Sequence, residues 1–225
     1  MKDLITIGLP SKGRLKDKAV SFFNNKGFKI LQGEKERNYF GAIENKPSVK
    51  IIFLHAKEII QRLGDGTLDI GVSGLDLLRE SDKNLQSKIN IQKKLDFGNA
   101  NLVIAVPDDW IDVQTIADLE EVSFDLRSKR NSRLRVATKY PNLTNDFLIS
   151  KGVTQYKLIP SLGATETYPF IGSSEIITDI TSTGKTLVDN NLRVLKDGMI
   201  LRSRACLFIA KKKAAKLQPF LKSFV

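Results

Sequence analysis

The chain has 225 residues, 41% of them hydrophobic and 27% charged, with a formal net charge of +11. That is ordinary for a globular protein and long enough for one large domain or two smaller lobes, each with its own core. No apolar run approaches the roughly 20 residues of a membrane-spanning helix. The single cysteine, Cys206, excludes an internal disulfide, so a cytosolic setting is the simplest expectation. The positive excess suits an anionic partner. The basic runs "RSKRNSRLR" (127–135) and "KKKAAK" (211–216) lack the interleaved aromatics of a base-stacking surface, however, which leaves little to support nucleic acid.

In chain order, short apolar runs alternate with helix-like stretches. "LITIGL" (4–9) reads as a buried strand, followed by the turn "PSKGR" and a helix in which Leu15, Ala19, Phe22 and Phe23 keep helical spacing up to Gly27. "VKIIFL" and "LDIGVSG" are further strands, followed by the helical "AKEIIQRLGDG" and "LDLLRES". "NLVIAVP", "RVATK", "YKLIPS" and "SEIITDITSTG" repeat the pattern, and Cys206 lies in a buried strand, "RACLFIA". The rhythm predicts an α/β fold with open, mostly parallel sheets and helices on both faces, whose ligand-binding loops follow the carboxyl ends of strands. Asp69–Leu78 and Asp179–Val188 share the pattern D-I-x-x-S/T-G-x-x-L, as expected either of two similarly built lobes or of two similar tight turns. Chain crossings near residues 97–101 and 187–193 would give a first lobe of residues 1–98 plus 187–225 and a second of 99–186.

"DITSTGKT" (179–186) carries Gly184, Lys185 and Thr186 where nucleotide-binding P-loops keep Gly-Lys-Ser/Thr, but Asp179 stands in place of the first glycine. A carboxylate there would repel a tightly wrapped β-phosphate. It suits a sugar phosphate instead: Thr181, Ser182, Thr183, Gly184 and Thr186 cradle the phosphate at a helix start while the acid accepts sugar hydroxyls. An N-cap on a polar turn would use the same residues. "LPSKGRL" places Lys12 and Arg14 either side of Gly13 after the first strand, where they meet a diphosphate or, with Ser11 capping the helix, only solvent. Lys139 follows "RVAT" as an anion contact, with Pro141 pinning the turn and Asn142 or Thr144 capping the next helix. Glu166 follows "SLGAT", free for ribose hydroxyls, a hydrated metal ion or solvent. His55 is the only histidine, and no nucleophilic triad or zinc-spaced ligand set is present. The chemistry indicated is orientation and charge stabilisation, without a general base.

Taken together, "LPSKGRL", "DIGVSGLD", "RVATKYPNLT", "SLGATE" and "DITSTGKTL" resemble, in order and approximate spacing, the ATP phosphoribosyltransferases, which catalyse the first step of histidine biosynthesis. The resemblance implies two α/β lobes of the type II periplasmic-binding-protein kind around a central cleft. It implies transfer of 5-phosphoribosyl 1-diphosphate (PRPP) to ATP with Mg²⁺, the metal being carried on the substrate diphosphate. Asp179 would hold the ribose hydroxyls and Thr181–Thr186 the 5′-phosphate, with Glu166 and Lys139 nearby. Lys12 and Arg14 would face the diphosphate or ATP, Arg37 and His55 would face ATP, and Asp179, Arg14 and Lys12 would be the catalytic set. His55, in "LHAKE", stands near an arginine of many members, whose job would then fall to another cation such as Arg37. The chain ends soon after the catalytic lobes, as in the short form. That form is expected to work as a homodimer within a hetero-oligomer with a regulatory subunit resembling a histidyl-tRNA synthetase, in the cytoplasm and without nucleic acid or membrane. A non-enzymatic two-lobed binding protein for a phosphorylated metabolite is the competing expectation.

Overall fold

The structure, a computed structural model, describes residues 4–32 and 39–222. The chain divides into two compact units, Met1–Gly98 with Arg204–Val225 and Asn99–Ser203.

The first unit contains β1 (Ile5–Pro10), α1 (Gly13–Asn25), β2 (Ile30–Gln32), β3 (Phe40–Ile43), β4 (Lys46–Leu54), α2 (Ala56–Gly64), β5 (Ile70–Gly74), α3 (Leu75–Glu80), α4 (Lys83–Ser87) and β6 (Ile89–Lys94). The second contains β7 (Ala100–Pro107), α5 (Ile116–Arg130), β8 (Leu134–Thr138), α6 (Pro141–Ser150), β9 (Tyr156–Pro160), β10 (Ile176–Thr181), α7 (Lys185–Asp189) and β11 (Leu192–Ser203). The chain then returns to the first unit with β12 (Ala205–Ala210) and α8 (Ala214–Leu221).

The first sheet runs β2-β3-β4-β1-β5-β12-β6 and the second β11-β7-β10-β8-β9. Both are mixed rather than mostly parallel. β4, β1 and β5 are parallel in one, and β10, β8 and β9 in the other, while the remaining pairs are antiparallel. Among the parallel strands, β1, β5, β8 and β10 are largely buried, as central strands covered on both faces are, whereas β4 alternates and the edge strand β9 is half-exposed. The chain also departs from the expected lobe boundary: residues 187–203 belong to the second unit. β11 pairs antiparallel with β7 from Leu192↔Pro107 to Ser203↔Ala100, which ties it to that sheet along its length.

Alternation along the strands sorts the first unit's core into two layers. Ile7, Leu9, Ile70 and Val72 face α1 and α8, joining Ala19, Phe23, Leu217 and Leu221. Phe220 packs against Phe28 with tilted rings, their centroids 5.0 Å apart. The apolar residues Leu217, Phe220 and Leu221 of the tail therefore belong to this core. The other face meets α2 and α3 through Ile59, Ile60, Leu63, Leu75 and Leu78. Here Gly8 and Gly71 are register partners on neighbouring strands. A Cβ on Gly71 would lie 2.5 Å from Ile59 Cγ2, and one on Gly8 2.4 Å from Leu68 Cδ1. The absence of side chains at this pair lets α2 approach the sheet. In the second unit, α5 and α6 cover one face through Ile116, Leu119 and Leu148. On the other face α7 and the segment after β9 bring Leu187 and Tyr168 against Val103, Ala105, Ala137 and Ile177.

Gly71→Ala should destabilise the protein by about 1–3 kcal/mol, the usual range for forcing extra volume into a packed core. Ile59 Cγ2 sits on a branched β-carbon and cannot rotate clear. Urea denaturation followed by far-ultraviolet circular dichroism measures the shift.

Candidate functional site at a stepped sheet edge

In the second unit, three loops meet at one edge of the sheet because three strands run the same way. Thr178 of β10, Thr138 of β8 and Pro160 of β9 lie in one register row. The next residues are Asp179, Lys139 and Ser161. β8 and β9 end there, whereas β10 continues to Thr181, paired only with β7 through Asp179↔Val103, Ile180↔Leu102 and Thr181↔Asn101. The carboxyl edge therefore has a step, and Asp179 stands on it without a strand on its β8 side. Such edges are where open α/β sheets place ligands.

Asp179 is half-buried, and one of its carboxylate oxygens accepts the Ile180 N–H at 2.8 Å. Burial raises its pKa above the ordinary carboxylate value; the Ile180 N–H and the Lys139 charge oppose the rise, and Glu166 adds to it. The structure thus brings Asp179, Lys139 and Glu166 into one electrostatic neighbourhood, from three separate stretches of sequence. Lys139 is exposed, and Glu166 sits in a 3₁₀ turn, Thr165–Thr167. That turn is entered through Ala164 in the left-handed region, at φ 43°. A non-glycine residue there costs roughly 1–3 kcal/mol. It is held by the Thr167 N–H donating to the Ala164 carbonyl (3.0 Å) and by a hydrogen bond between the Ser161 and Thr165 hydroxyls (2.9 Å).

After Asp179 the chain turns into α7 through Thr181–Gly184. Gly184, at φ 77°, is the N-cap and provides no side-chain cap. Its N–H donates to Thr181 Oγ1 at 2.9 Å, and the Lys185 N–H to Thr183 Oγ1 at 3.4 Å. Ser182, Thr183 and Thr186 are exposed around the turn. Two of the hydroxyl oxygens, on Thr181 and Thr183, shape the loop as acceptors.

The sequence echo does not hold as structure. Asp69 precedes β5, is buried, accepts the Thr6 N–H at 2.7 Å and pairs with Lys213 Nζ at 2.7 Å. Gly74 is extended at φ −77°, where Gly184 is left-handed, and Ser73 donates to the Ala56 carbonyl at 2.7 Å. The first turn is a structural tie.

In the first unit, β1 and β4 are parallel and end together at Pro10↔Leu54. The Ser11 N–H donates to the Leu54 carbonyl at 2.9 Å, which fixes the turn. Lys12, and not Ser11, is the N-cap of α1, without a side-chain cap, and both Lys12 and Arg14 are exposed. His55 caps α2, its Nδ1 accepting the Lys57 N–H at 3.3 Å. Lys12, Arg14 and His55 thus share the carboxyl edge of the first sheet. Arg37 lies outside the described residues. Neither Asn142 nor Thr144 caps α6: Tyr140 is its N-cap and Pro141 its first residue. Thr144 is buried 3.2 Å from the Thr138 hydroxyl, which in turn accepts the Tyr140 N–H at 2.9 Å. Ser161, Ala164, Thr165 and Thr138 were not singled out in the sequence. They hold the Glu166 and Lys139 loops through hydrogen bonds between residues whose types alone give no signal.

Two α/β units with such mixed sheets are the architecture of bilobed ligand-binding proteins. The chain superposes on the substrate-binding protein of an amino acid ABC transporter with a TM-score of 0.56 at 11% identity, covering 98% of this chain and 91% of that one. The similarity is closer to the ATP phosphoribosyl transferase (HisG:HisZ) complex from Thermotoga maritima, with a TM-score of 0.74 and 25% identity over 98% of this chain and 96% of that one. The ATP phosphoribosyltransferase of Chelativorans sp. (strain BNC1) is 49% identical over 210 residues, 93% of this chain and 91% of the relative. The sequence model of the family "HisG: ATP phosphoribosyltransferase" matches residues 55–224. The chain belongs to the ATP phosphoribosyltransferase family, the enzymes of the first step of histidine biosynthesis.

A carboxyl group whose pKa is raised in the folded protein contributes stability below its unfolded pKa and loses it as pH rises through the folded value. Ionised Asp179 therefore destabilises the native state at neutral pH. Asp179→Asn should melt at a higher temperature than the parent at pH 7. The difference should narrow as pH falls toward the ordinary aspartate range near about 3.9. Thermal melts across that pH range test the sign.

Proposed function

We propose that the carboxyl edge of the second unit takes PRPP, and that the Lys12–Arg14 turn and His55 of the first unit take ATP. The observation that carries this is the step at Asp179, a half-buried carboxylate one strand-end away from a hydroxyl-lined turn into α7. Asp179 accepts the ribose hydroxyls and faces the anomeric carbon as positive charge grows there. Gly184 lets the backbone come close to the 5′-phosphate, and Thr181, Ser182, Thr183 and Thr186 donate to it. Lys139 attracts the diphosphate, and Glu166 holds the sugar from the other side.

Adenine N1 carries an in-plane lone pair, so no side chain has to remove a proton to make it a nucleophile. The C1–diphosphate bond breaks as the N1–C1 bond forms, and the leaving electron pair goes to pyrophosphate. The protein's work is to bring two polyanions together and to stabilise that charge redistribution. Among the described residues no three His, Cys, Asp or Glu side chains gather into a metal cluster. Asp179 and Glu166 are the carboxylates that influence each other at this edge. Two carboxylates fit Mg²⁺ held mainly by substrate phosphates. Mg²⁺ bound in that way neutralises charge on the departing diphosphate.

Likeness to the HisG:HisZ complex supports a hetero-oligomer with a regulatory subunit; in the proposed assembly this chain enters it as a homodimer. The family's biosynthetic activity supports a cytoplasmic enzyme; no helix among the described residues is long and apolar enough to cross a membrane.

Pyrophosphate release should require ATP, PRPP and Mg²⁺ together and cease when any one is omitted, with the regulatory subunit tested present and absent. Asp179→Ala should lower turnover by about 10²-fold or more, the scale of losing one preorganised electrostatic contact, with its unfolding transition intact. Turnover close to that of the parent would remove Asp179 from the mechanism.

A further inference from the structure

At the opposite edge of the second sheet, a cavity of about 510 Å³ is lined by Arg127, Arg133, Arg135, Lys157 and Glu175. Its size is that of a small-molecule site. Arg135 and Lys157 begin β8 and β9, whose other ends carry Lys139 and the Glu166 loop. With about 3.3 Å per strand residue, the cavity lies some 10 Å or more from the carboxyl edge.

The charges form an ordered row. Arg135 and Lys157 are register partners on adjacent parallel strands. On the β10 side, Glu175 donates its N–H to the Arg135 carbonyl at 3.0 Å. Its carboxylate accepts from Arg135 Nη2 at 2.6 Å and Nε at 3.0 Å, and from the Arg135 N–H at 2.6 Å. Arg135 Nη1 donates to the Gly172 carbonyl at 2.8 Å. Glu175 therefore neutralises Arg135 and holds it rigid. Lys157, Arg133 and Arg127 remain exposed around it, with Arg127 Nη1 on Asn131 Oδ1 at 2.8 Å. A helix C-terminus accounts for Arg127, in the last turn of α5. It does not account for Arg133 or Lys157, which lie outside that helix.

We propose that this cavity is a second anion site, separate from the carboxyl edge, and that it takes a small polyphosphate. Four cations around a concave space, one already locked by its own carboxylate, give a preset frame with excess positive charge. A compact multivalent anion fills it better than the spread acidic surface of a protein partner. The site rests on the second unit alone and stands whether or not the substrate assignments above hold.

Sodium tripolyphosphate is the probe, titrated calorimetrically into the full chain at low ionic strength. The parent should show a binding event at this cavity, beside any at the carboxyl edge. Arg133→Ser/Lys157→Ser should weaken the cavity event at least tenfold and leave pyrophosphate-release activity unchanged. Glu175→Gln, which removes the only negative charge from the row, should tighten that same event. Thermal melts of the variants check folding, and Lys157→Glu alone should give the same loss if the double variant melts early. An identical isotherm in the parent and the double variant overturns the proposal. So does a parent with no event beyond the one shared with the double variant, including the case in which these substitutions weaken only association with a protein subunit.

Discussion

The second unit depends on a mismatch of strand lengths. β8, β9 and β10 share a direction and a register row, but β10 runs three residues further because β7 pairs with it on the far side. If β10 ended with its parallel neighbours, Asp179 would lie in a loop. If β8 extended with it, Asp179 would be closed in by a strand. The antiparallel pairing with β7 fixes the backbone of Asp179 to Thr181 while one side stays open. It also sets where the chain turns into α7, and so where Thr181 and Gly184 stand relative to the carboxylate. The twist and pairing of β7 are therefore part of the site although β7 contributes no side chain to it.

The first unit meets a related demand by a different route. Its edge residues follow β1 and β4, which end in register and are joined by the Ser11–Leu54 hydrogen bond. His55 begins α2, and α2 lies close to the sheet because Gly8 and Gly71 leave room for Ile59 and Leu63. Packing on one face of the sheet thus positions a side chain at its edge. Asp69, by contrast, is used to fasten β5 to β1 and to the segment before α8, through the Thr6 N–H and Lys213. The shared pattern serves a fastening in one unit and an open carboxylate in the other, because Asp69 stands at the amino end of β5 whereas Asp179 stands near the carboxyl end of β10, past the last β8 pair.

That contrast shows what a single sequence discloses. The parallel strands were legible as short runs rich in apolar residues, most plainly the central, largely buried β1 and β5. β6 ("INIQKK") and β11 ("LRVLKDGMILRS") were not, because one side of each is polar and their pairing partners are distant in the chain. Missing β11 moved the lobe boundary from residue 203 to about 187. At the edge of the second unit, the residue types of Asp179, Lys139 and Glu166 were readable, and their meeting followed from strand direction. The supports were not readable: Ala164 in a left-handed turn, the Ser161–Thr165 pair and the Thr138–Thr144 pair depend on loop geometry that spacing alone does not specify.

The energetics of Asp179 connect the fold to the proposed chemistry. Burial makes its charge unfavourable in the empty protein, and Lys139 and the Ile180 N–H offset only part of that, while Glu166 works against it. A group with this balance gains most from a new positive neighbour, because the interaction forms in a half-buried place where water screens poorly. A ribose carbon losing diphosphate is such a neighbour, whereas the intact sugar is not. The stabilisation is then larger in the transition state than in the ground state, which is the condition for raising turnover as well as affinity. A fully solvated aspartate would bind sugar hydroxyls as well but would give that charge far less. The strand step that leaves Asp179 half-buried, neither sunk in the sheet nor free in a loop, is therefore what makes this carboxylate suited to supporting charge.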